Sequence, residues 1–321
     1  MKISAIKPVA LLLAREFGIT ALLLLGVSFV VFIILYLSPG DPFSLLLKEQ
    51  MADDGARQSL QKAAEASTAW YGQYFSWLAG MLSGNFGTSL RTGLPVLGEV
   101  VRVGINTLYL TVGSMFITLI IAVPIALFSA RRGVNVLSWS FTIFAYVISA
   151  LPVFWLGYIA IYVFTRKLGL FPIAFGSSGT EKFGWLYFIL PMFVLGIGNG
   201  TVSEIVRYLR EEMSRVFSED YIRTARAKGA SVWRHAFKEG ILIPVSSIIA
   251  SKVPFILGGA VVVEQVFNWP GMGRMAWQAA QDRDYPLIMG ITIIAAVIVR
   301  FGSLMQKVVY IMVNPRASKG H

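Results

Sequence analysis

Six stretches of the chain are apolar for long enough to cross a bilayer, and the polar segments between them set their direction. The first, FGITALLLLGVSFVVFIILYL from Phe17 to Leu37, carries no charge, and about 20 such residues cross a hydrocarbon core. The others run from about Thr107 to Ala130, Val136 to Thr165, Phe183 to Ile205, Ile241 to Phe267 and Leu287 to Val313. The pattern predicts an all-α polytopic membrane protein with six transmembrane helices. Pro124, Pro152, Pro191 and Pro254 fall inside four of them. Proline in a membrane helix frees carbonyls that neighbours or water must satisfy, which suits helices that line a path or move.

The organisation that follows is an N-terminus over residues 1–16, the first span over 17–38, and a long external region over 39–106. A core of spans occupies 107–313, interrupted by a loop over 206–240, and a tail covers 314–321. Pro39-Gly40-Asp41-Pro42 stops the first helix, because proline removes a donor and restricts the residue before it. Lys48 to Ala69 is polar with a helical character. Trp70, Tyr74, Trp77, Leu78 and Met81 then recur at helical spacing, which fits an interfacial helix or one packed on its neighbours. Asn85-Phe86-Gly87-Thr88-Ser89 and Arg91-Thr92-Gly93 read as turns.

Composition agrees with the pattern. The 321 residues are 56% hydrophobic and 14% charged, against about 25% charged in soluble domains. The net charge of +11 would suggest nucleic acid in a soluble protein. Here no basic stripe is interleaved with exposed aromatics, and the basic residues gather where the positive-inside rule puts them. They are Lys2, Lys7 and Arg15, then Arg131 and Arg132, then Arg316 and Lys319 in the tail. The loop 206–240 holds Arg207, Arg210, Arg215, Arg223, Arg226, Lys228, Arg234 and Lys238. Arg166, Lys167 and Lys182 run against the bias, but the balance places both termini in the cytoplasm. The absence of cysteine excludes disulfides, thiolate metal sites and cysteine nucleophiles. No His/Asp/Glu cluster has metal-ligand spacing, and no nucleophile–base arrangement supports an enzyme.

The loop is the most specialised stretch. SEDYIRTARAKGASVWRHAFKEGILIP, from Ser218 to Pro244, reads as two helices at a sharp turn. Ser218 is placed to cap the first helix, with Glu219 and Asp220 at its positive end. Ala225, Ala227 and Ala230 keep a face small. Gly229 stands where a left-handed C-terminal residue belongs, and Ser231 can cap the second helix. A plain solvated basic loop is the alternative reading of these residues taken alone.

The order of motifs carries more. Tyr221-Ile222-Arg223-Thr224-Ala225-Arg226-Ala227-Lys228-Gly229, followed by Ile241-Leu242-Ile243-Pro244, resembles the EAA motif of ABC importer permeases. The nearest likeness is to the dipeptide/oligopeptide/nickel, binding-protein-dependent transport family. It extends through Pro39-Gly40-Asp41-Pro42, Asn85 to Ser89, Arg91 to Gly93 and Leu151-Pro152-Val153-Phe154-Trp155-Leu156. It continues through Gly258 to Glu264, Trp269-Pro270-Gly271-Met272-Gly273, Asp284-Tyr285-Pro286 and Asn314-Pro315-Arg316. The segment from Gly229 to Pro244 is about three residues shorter than in peptide permeases, close to one helical turn.

The resemblance implies a type I ABC importer permease architecture, a multi-pass chain in a bacterial or archaeal plasma (inner) membrane. It implies a coupling element docking on a separate ATPase through Tyr221, Arg223, Thr224, Ala225, Arg226, Ala227, Lys228, Gly229, Ala230, Ser231 and Trp233. No G-x-x-x-x-G-K-[ST] occurs, so ATP and Mg belong to that partner. Further implied partners are a second, differing permease subunit, one or two ATPases and an external substrate-binding protein. Peptides or similarly sized solutes are the expected cargo, with nickel chelates or oligosaccharides as alternatives. A self-contained channel or secondary carrier is the competing class; no repeat between the halves supports it.

Charges inside spans complete the reading. Lys252 lies mid-span and Arg300 inside the sixth span, where a charge costs on the order of 2.5–3.5 kcal/mol. Lys252, with Pro254, Gly258, Gly259 and Glu264 on the same span, marks a candidate translocation path. A salt bridge of Lys252 to the sister permease is the alternative, as is capping or pairing with Arg274 for Glu264, and snorkelling explains Arg300.

Overall fold

The computed structural model describes residues 6–38, 70–132, 136–171, 186–198, 200–232 and 260–313, with Ala236, Gly240, Ile241, Pro244 and Val245. Regular structure among these residues is helical: α1 (Ile6–Leu37), α2 (Trp70–Leu82), α3 (Val96–Arg132), α4 (Val136–Ala150), α5 (Val153–Ala160), α6 (Leu186–Ile197), α7 (Thr201–Ser218), α8 (Asp220–Ala227), α9 (Met272–Asp282) and α10 (Tyr285–Val313). A π-helical segment, Ile161–Lys167, continues α5, and 260–266 are also helical. The described residues fall into two compact units, one within Met1–Gly104 and Met275–Arg300, the other within Ile105–Arg274 and Phe301–His321.

In the first unit α2 packs on α1 through Tyr74, which is buried. Its ring meets Phe29 edge-on at 5.5 Å and Phe32 at 5.3 Å, and its hydroxyl shares a 2.9 Å hydrogen bond with Ser28. Packing therefore claims one face of α2, while Trp70, Tyr71 and Phe75 stay exposed on an aromatic surface of the kind found at membrane interfaces. The two turn motifs before α3 acquire a purpose at the start of α10. Asp284, fully buried, accepts from Ser89 Oγ, from Arg91 N at 3.3 Å and from Leu287 N at 3.2 Å. It caps α10 and fixes the Asn85–Gly93 turns to it. Thr92 then donates to Glu99 at 3.0 Å.

In the second unit the core is built by α3, α5, α6 and 260–266, with Leu110, Val194, Leu195, Val263 and Trp269 enclosed. Trp269 stands edge-on to Phe188 at 5.1 Å. A second cluster joins α3 and α4 to α7 through Ala122, Ala126, Ala145, Ile205 and Leu209. α3 and α6 come close enough for Thr118 Oγ1 to donate to Gly196 O at 2.7 Å. A Cβ at 196 would lie 2.7 Å from Ser114 O. Without a hydrophobic force between helices in lipid, such small-residue approaches and interhelical hydrogen bonds hold the helices together.

Among the described residues three helical stretches are long and apolar enough to cross a membrane: Arg15–Leu37, Val96–Ala130 and Tyr285–Met305. Two expected spans are bent. The third breaks by 100° between Ile143–Ala150 and Val153–Lys167, because Pro152 takes an extended conformation (φ −59°, ψ 136°) and offers no N–H to the turn before it. The fourth pairs Leu186–Ile197 with Thr201–Ser218 at 57°. Most of the fifth lies outside the described residues, so the described helices give three spans, or five with each bent pair counted as one. The second span also starts earlier than its hydropathy predicts: α3 begins at Val96, inside the region read as external.

Candidate functional site

The motif Tyr221–Ser231 is mounted on α7, whose sequence explains the mount. Val202, Ile205, Val206, Leu209, Met213 and Val216 recur at helical spacing and are all buried, giving α7 one apolar stripe. The segment read as a loop from Val206 is therefore helical as far as Ser218. Ser218 does not cap the next helix: its hydroxyl bonds back to Ser214 O at 3.0 Å. The extended residue before α8 is Glu219 (φ −69°, ψ 146°), and its carbonyl accepts from Ile222 N at 3.1 Å. The hydroxyl loses the cap because the helical backbone at Ser218 brings the carbonyl one turn back within reach. Arg215 bonds Glu212 at 2.7 Å and reaches Glu219 at 3.7 Å.

α8 turns two residues inward and the rest outward. Ile222 and Ala225 are buried, Ile222 in a cluster with Met213, Val216, Ala236 and Ile241, backed by Val123 and Leu127 of α3. A side chain at Gly240 would collide with Met213. Arg223, Thr224, Arg226, Ala227, Lys228, Gly229, Ala230 and Ser231 are exposed, and Tyr221 is half-buried. Ala225 thus belongs to the mount and not to the small outer face expected of it. Gly229 has φ +66°; Ala230 N donates to Ala225 O at 2.9 Å and Gly229 N to Arg226 O at 3.0 Å. This paired closure is a Schellman motif, which only a residue tolerant of left-handed geometry completes without strain. The result is a rigid exposed basic turn on a buried apolar foot. Trp233 lies outside the described residues.

Of the residues placed on the path, Lys252, Pro254, Gly258 and Gly259 lie outside the described residues. Glu264 is fully buried and in this conformation organises a turn. It accepts from Thr107 Oγ1 at 2.7 Å and from Arg274 N at 2.8 Å. Its backbone carbonyl accepts from Trp269 N at 2.8 Å. Thr107 in turn accepts from Met272 N at 2.7 Å, so carboxylate and hydroxyl together satisfy donors at the start of α9. The expected pairing with Arg274 runs through its backbone; the guanidinium goes to Asn268 O at 3.1 Å. Any side chain at Gly271 would strike the Glu264 carboxyl, and a Cβ at Gly273 would lie 2.6 Å from Val261 Cγ2. The Trp-Pro-Gly-Met-Gly run is the sequence such a wrap requires.

Arg300 neither snorkels nor waits for a second chain. It donates to Glu16 Oε2 at 3.1 Å and to Thr20 Oγ1 at 3.2 Å, joining α10 to α1. Sequence reasoning passed over Glu16, Thr107 and Ser89. Glu16 could have been found as the acid at the head of the first span, facing an arginine that needs a partner; Thr107 and Ser89 leave no signal until the chain folds. Among the described residues no three His, Asp or Glu converge to hold a metal ion.

Residues 122–319 match the model of the binding-protein-dependent transport system inner membrane component family. The chain is 37% identical over 302 residues to the oligopeptide transport system permease protein AppB of Bacillus subtilis, covering 92% of this chain and 95% of that one. It is 32% identical over 323 residues to the dipeptide permease DppB of Alkalihalophilus pseudofirmus, covering 91% and 95%. It is also 32% identical over 295 residues to the glutathione permease GsiC of Escherichia coli K12, covering 90% and 92%. An all-helical membrane chain with an EAA-like turn on a buried foot, matched over most of its length by such proteins, belongs to the binding-protein-dependent ABC importer permeases, the family that its order of motifs resembles.

Proposed function

We propose that this chain is one transmembrane half of an ATP-driven importer for peptides, and that the α8–Gly229 turn is the part gripped by a separate ATPase. The observation that carries the reading is the contrast along α8 and its turn: Ile222 and Ala225 are locked into the core while Arg223, Thr224 and Arg226 to Ser231 stand exposed. A turn anchored in this way transmits force to α7 and α3 instead of deforming. The peptide class rests on the relatives, described as oligopeptide, dipeptide and glutathione permeases.

In this reading the loop and both termini face the cytoplasm, and ATP and Mg are bound only by the ATPase subunits. Closure of the ATPase pair swings the turns of two permease chains, this one and a differing sister, and opens their shared path to alternate sides. An external binding protein delivers the solute, and Lys252, Pro254, Gly258 and Gly259 contribute to the path. Single-cysteine variants at Arg226 and Ser231, in a chain with no native cysteine, test the docking. Cross-linking to an ATPase subunit is the expected outcome; no cross-link from any exposed position between Arg223 and Ser231 would overturn it. Lys252→Ala should lower uptake while ATPase assembly persists, and unchanged uptake of a series of di- to pentapeptides would remove Lys252 from the path.

A further inference from the structure

α3 is held near both ends by parts of the chain far from it in sequence. Toward its C-terminus Val123, Leu127 and Ala130 pack on the cluster of Met213, Val216 and Ile222 that forms the foot of the α8 turn. Toward its N-terminus Asn106 and Thr107 grip the turn at 268–274. Asn106 Nδ2 donates to Pro270 O at 2.8 Å, and the Asn106 carbonyl accepts from Trp269 Nε1 at 3.2 Å. The Thr107 hydroxyl donates to Glu264 Oε1 and accepts from Met272 N, each at 2.7 Å. Glu264 Oε2 accepts from Arg274 N at 2.8 Å. Thr107, Glu264 and Trp269 are all buried. Parting them would leave a buried carboxylate short of donors, which costs more than the bonds contribute when made, so the clasp moves as one piece.

Between the two grips α3 is unbroken helix, and the rise from Thr107 to Val123 is about 24 Å, most of a hydrocarbon core of about 30 Å. The stretch between them is packed as well. Leu110 and Met115 lie in the core with Val194 and Leu195, and Thr118 bonds Gly196 O. Close-packed interiors have low compressibility and pass displacement on instead of absorbing it. We infer that α3 is the rod that carries movement of the α8 turn to the turn at 268–274, with Thr107 and Glu264 as the positioning residues that fasten its far end. This inference rests on the coupling reading above. The ATPase cycle then acts on the opposite end of the permease through the clasp, although no ATPase touches that end. Glu264 serves transport by fastening this turn.

The test uses the whole transporter in proteoliposomes, with the cysteines of the partner subunits replaced. Thr107→Val keeps the size of the side chain and removes the hydroxyl; Thr107→Ser keeps the hydroxyl. Thr107→Val should still cross-link to the ATPase through Ser231→Cys and still hydrolyse ATP. Its uptake of di- and tripeptides per ATP should fall about tenfold, the shift that loss of a hydrogen bond to a charged group brings. Thr107→Ser should restore the ratio. A spin label on Val262→Cys, an exposed position on the helix that carries Glu264, reads the far end directly in a chain without native cysteine. Its mobility should change on ATP binding in the parent and in Thr107→Ser, and not in Thr107→Val. Asn106→Ala removes only the bond to Pro270 O; it should lower the ratio in the same direction, and it carries the test if Thr107→Val does not assemble. With the Ser231→Cys cross-link intact, an unchanged ratio and label response in the variant that assembles would overturn the inference. A loss in Thr107→Ser equal to that in Thr107→Val would do the same. Absence of the cross-link in the parent chain would instead overturn the coupling reading, and the inference with it.

Discussion

Single residues in this protein act by where they bring the backbone. Gly229 is the clearest case: at φ +66° a Cβ costs about 1–2 kcal/mol, and the strain falls on the exposed turn itself. Gly229→Ala should therefore leave the fold in the membrane while lowering solute-stimulated ATPase activity and uptake together, read in reconstituted vesicles. Gly271 is needed for a different reason, the carboxyl of Glu264 lying where its Cβ would stand. Gly271→Ala should cost about 1–3 kcal/mol through overpacking. Gly98→Ala, in the first turn of α3 with open space around it, should be stabilising by less than the roughly 0.5–1 kcal/mol of a mid-helix position. Opposite shifts in the thermal midpoint of the two variants check this pair. Arg300 and Glu16 form the third case. Removing either partner should destabilise by about 1.5–3 kcal/mol, the range for hydrogen bonds to charged groups. The Glu16→Gln/Arg300→Gln double variant should lose much less than the sum, and additive losses would show that the pair does not act as a unit.

At the scale of elements, caps and bends decide what the helices can do. α10 begins where it does because Asp284 accepts from Leu287 N, and the same carboxylate holds Ser89 and Arg91. Ser89→Ala should thus loosen the turns before α3 by about 1 kcal/mol, seen as faster amide exchange over Asn85–Gly93 with little change in α3 beyond Val103. α7 combines an apolar stripe that seats it, a charged face exposed on the other side, and a helix at its end, α8, that presents the basic turn. The bend at Pro152 and the π-helical segment after α5 break the third span in the way proline and π-bulges do elsewhere, where neighbouring groups take over the freed hydrogen bonds.

For the whole molecule, membership of the binding-protein-dependent importer permeases and the lengths of its helices agree on a multi-pass membrane protein. The described helices supply three spans with two further bent pairs. The long apolar faces that remain exposed, such as Val112, Phe116 and Ile120 of α3 and Phe154, Trp155 and Tyr158 of α5, are what a chain solvated by lipid presents. Salt should matter little to stability, since the ion pairs around α8 are exposed and worth about 0–1 kcal/mol each. Raising ionic strength should leave the thermal midpoint nearly unchanged while weakening the proposed docking of an ATPase on the basic turn, measured by pull-down.

The sequence by itself determined that the chain is helical and membrane-spanning, and which family it resembles, because apolar runs of about 20 residues and an ordered series of short motifs survive in one dimension. It also located the helix-ending turn at Gly229, since the left-handed C-terminal residue of a helix has a local signature. Tertiary structure decided the rest. Glu264 caps a turn because Thr107, 157 residues away in sequence, is brought beside it; Arg300 is paired because α10 runs beside Glu16 of α1. Ser218 lost its capping role to Glu219 because α7, seated by its buried stripe, continues one residue further than local preference predicts. Such outcomes depend on distant partners, and no local pattern records which partner a buried polar group will meet.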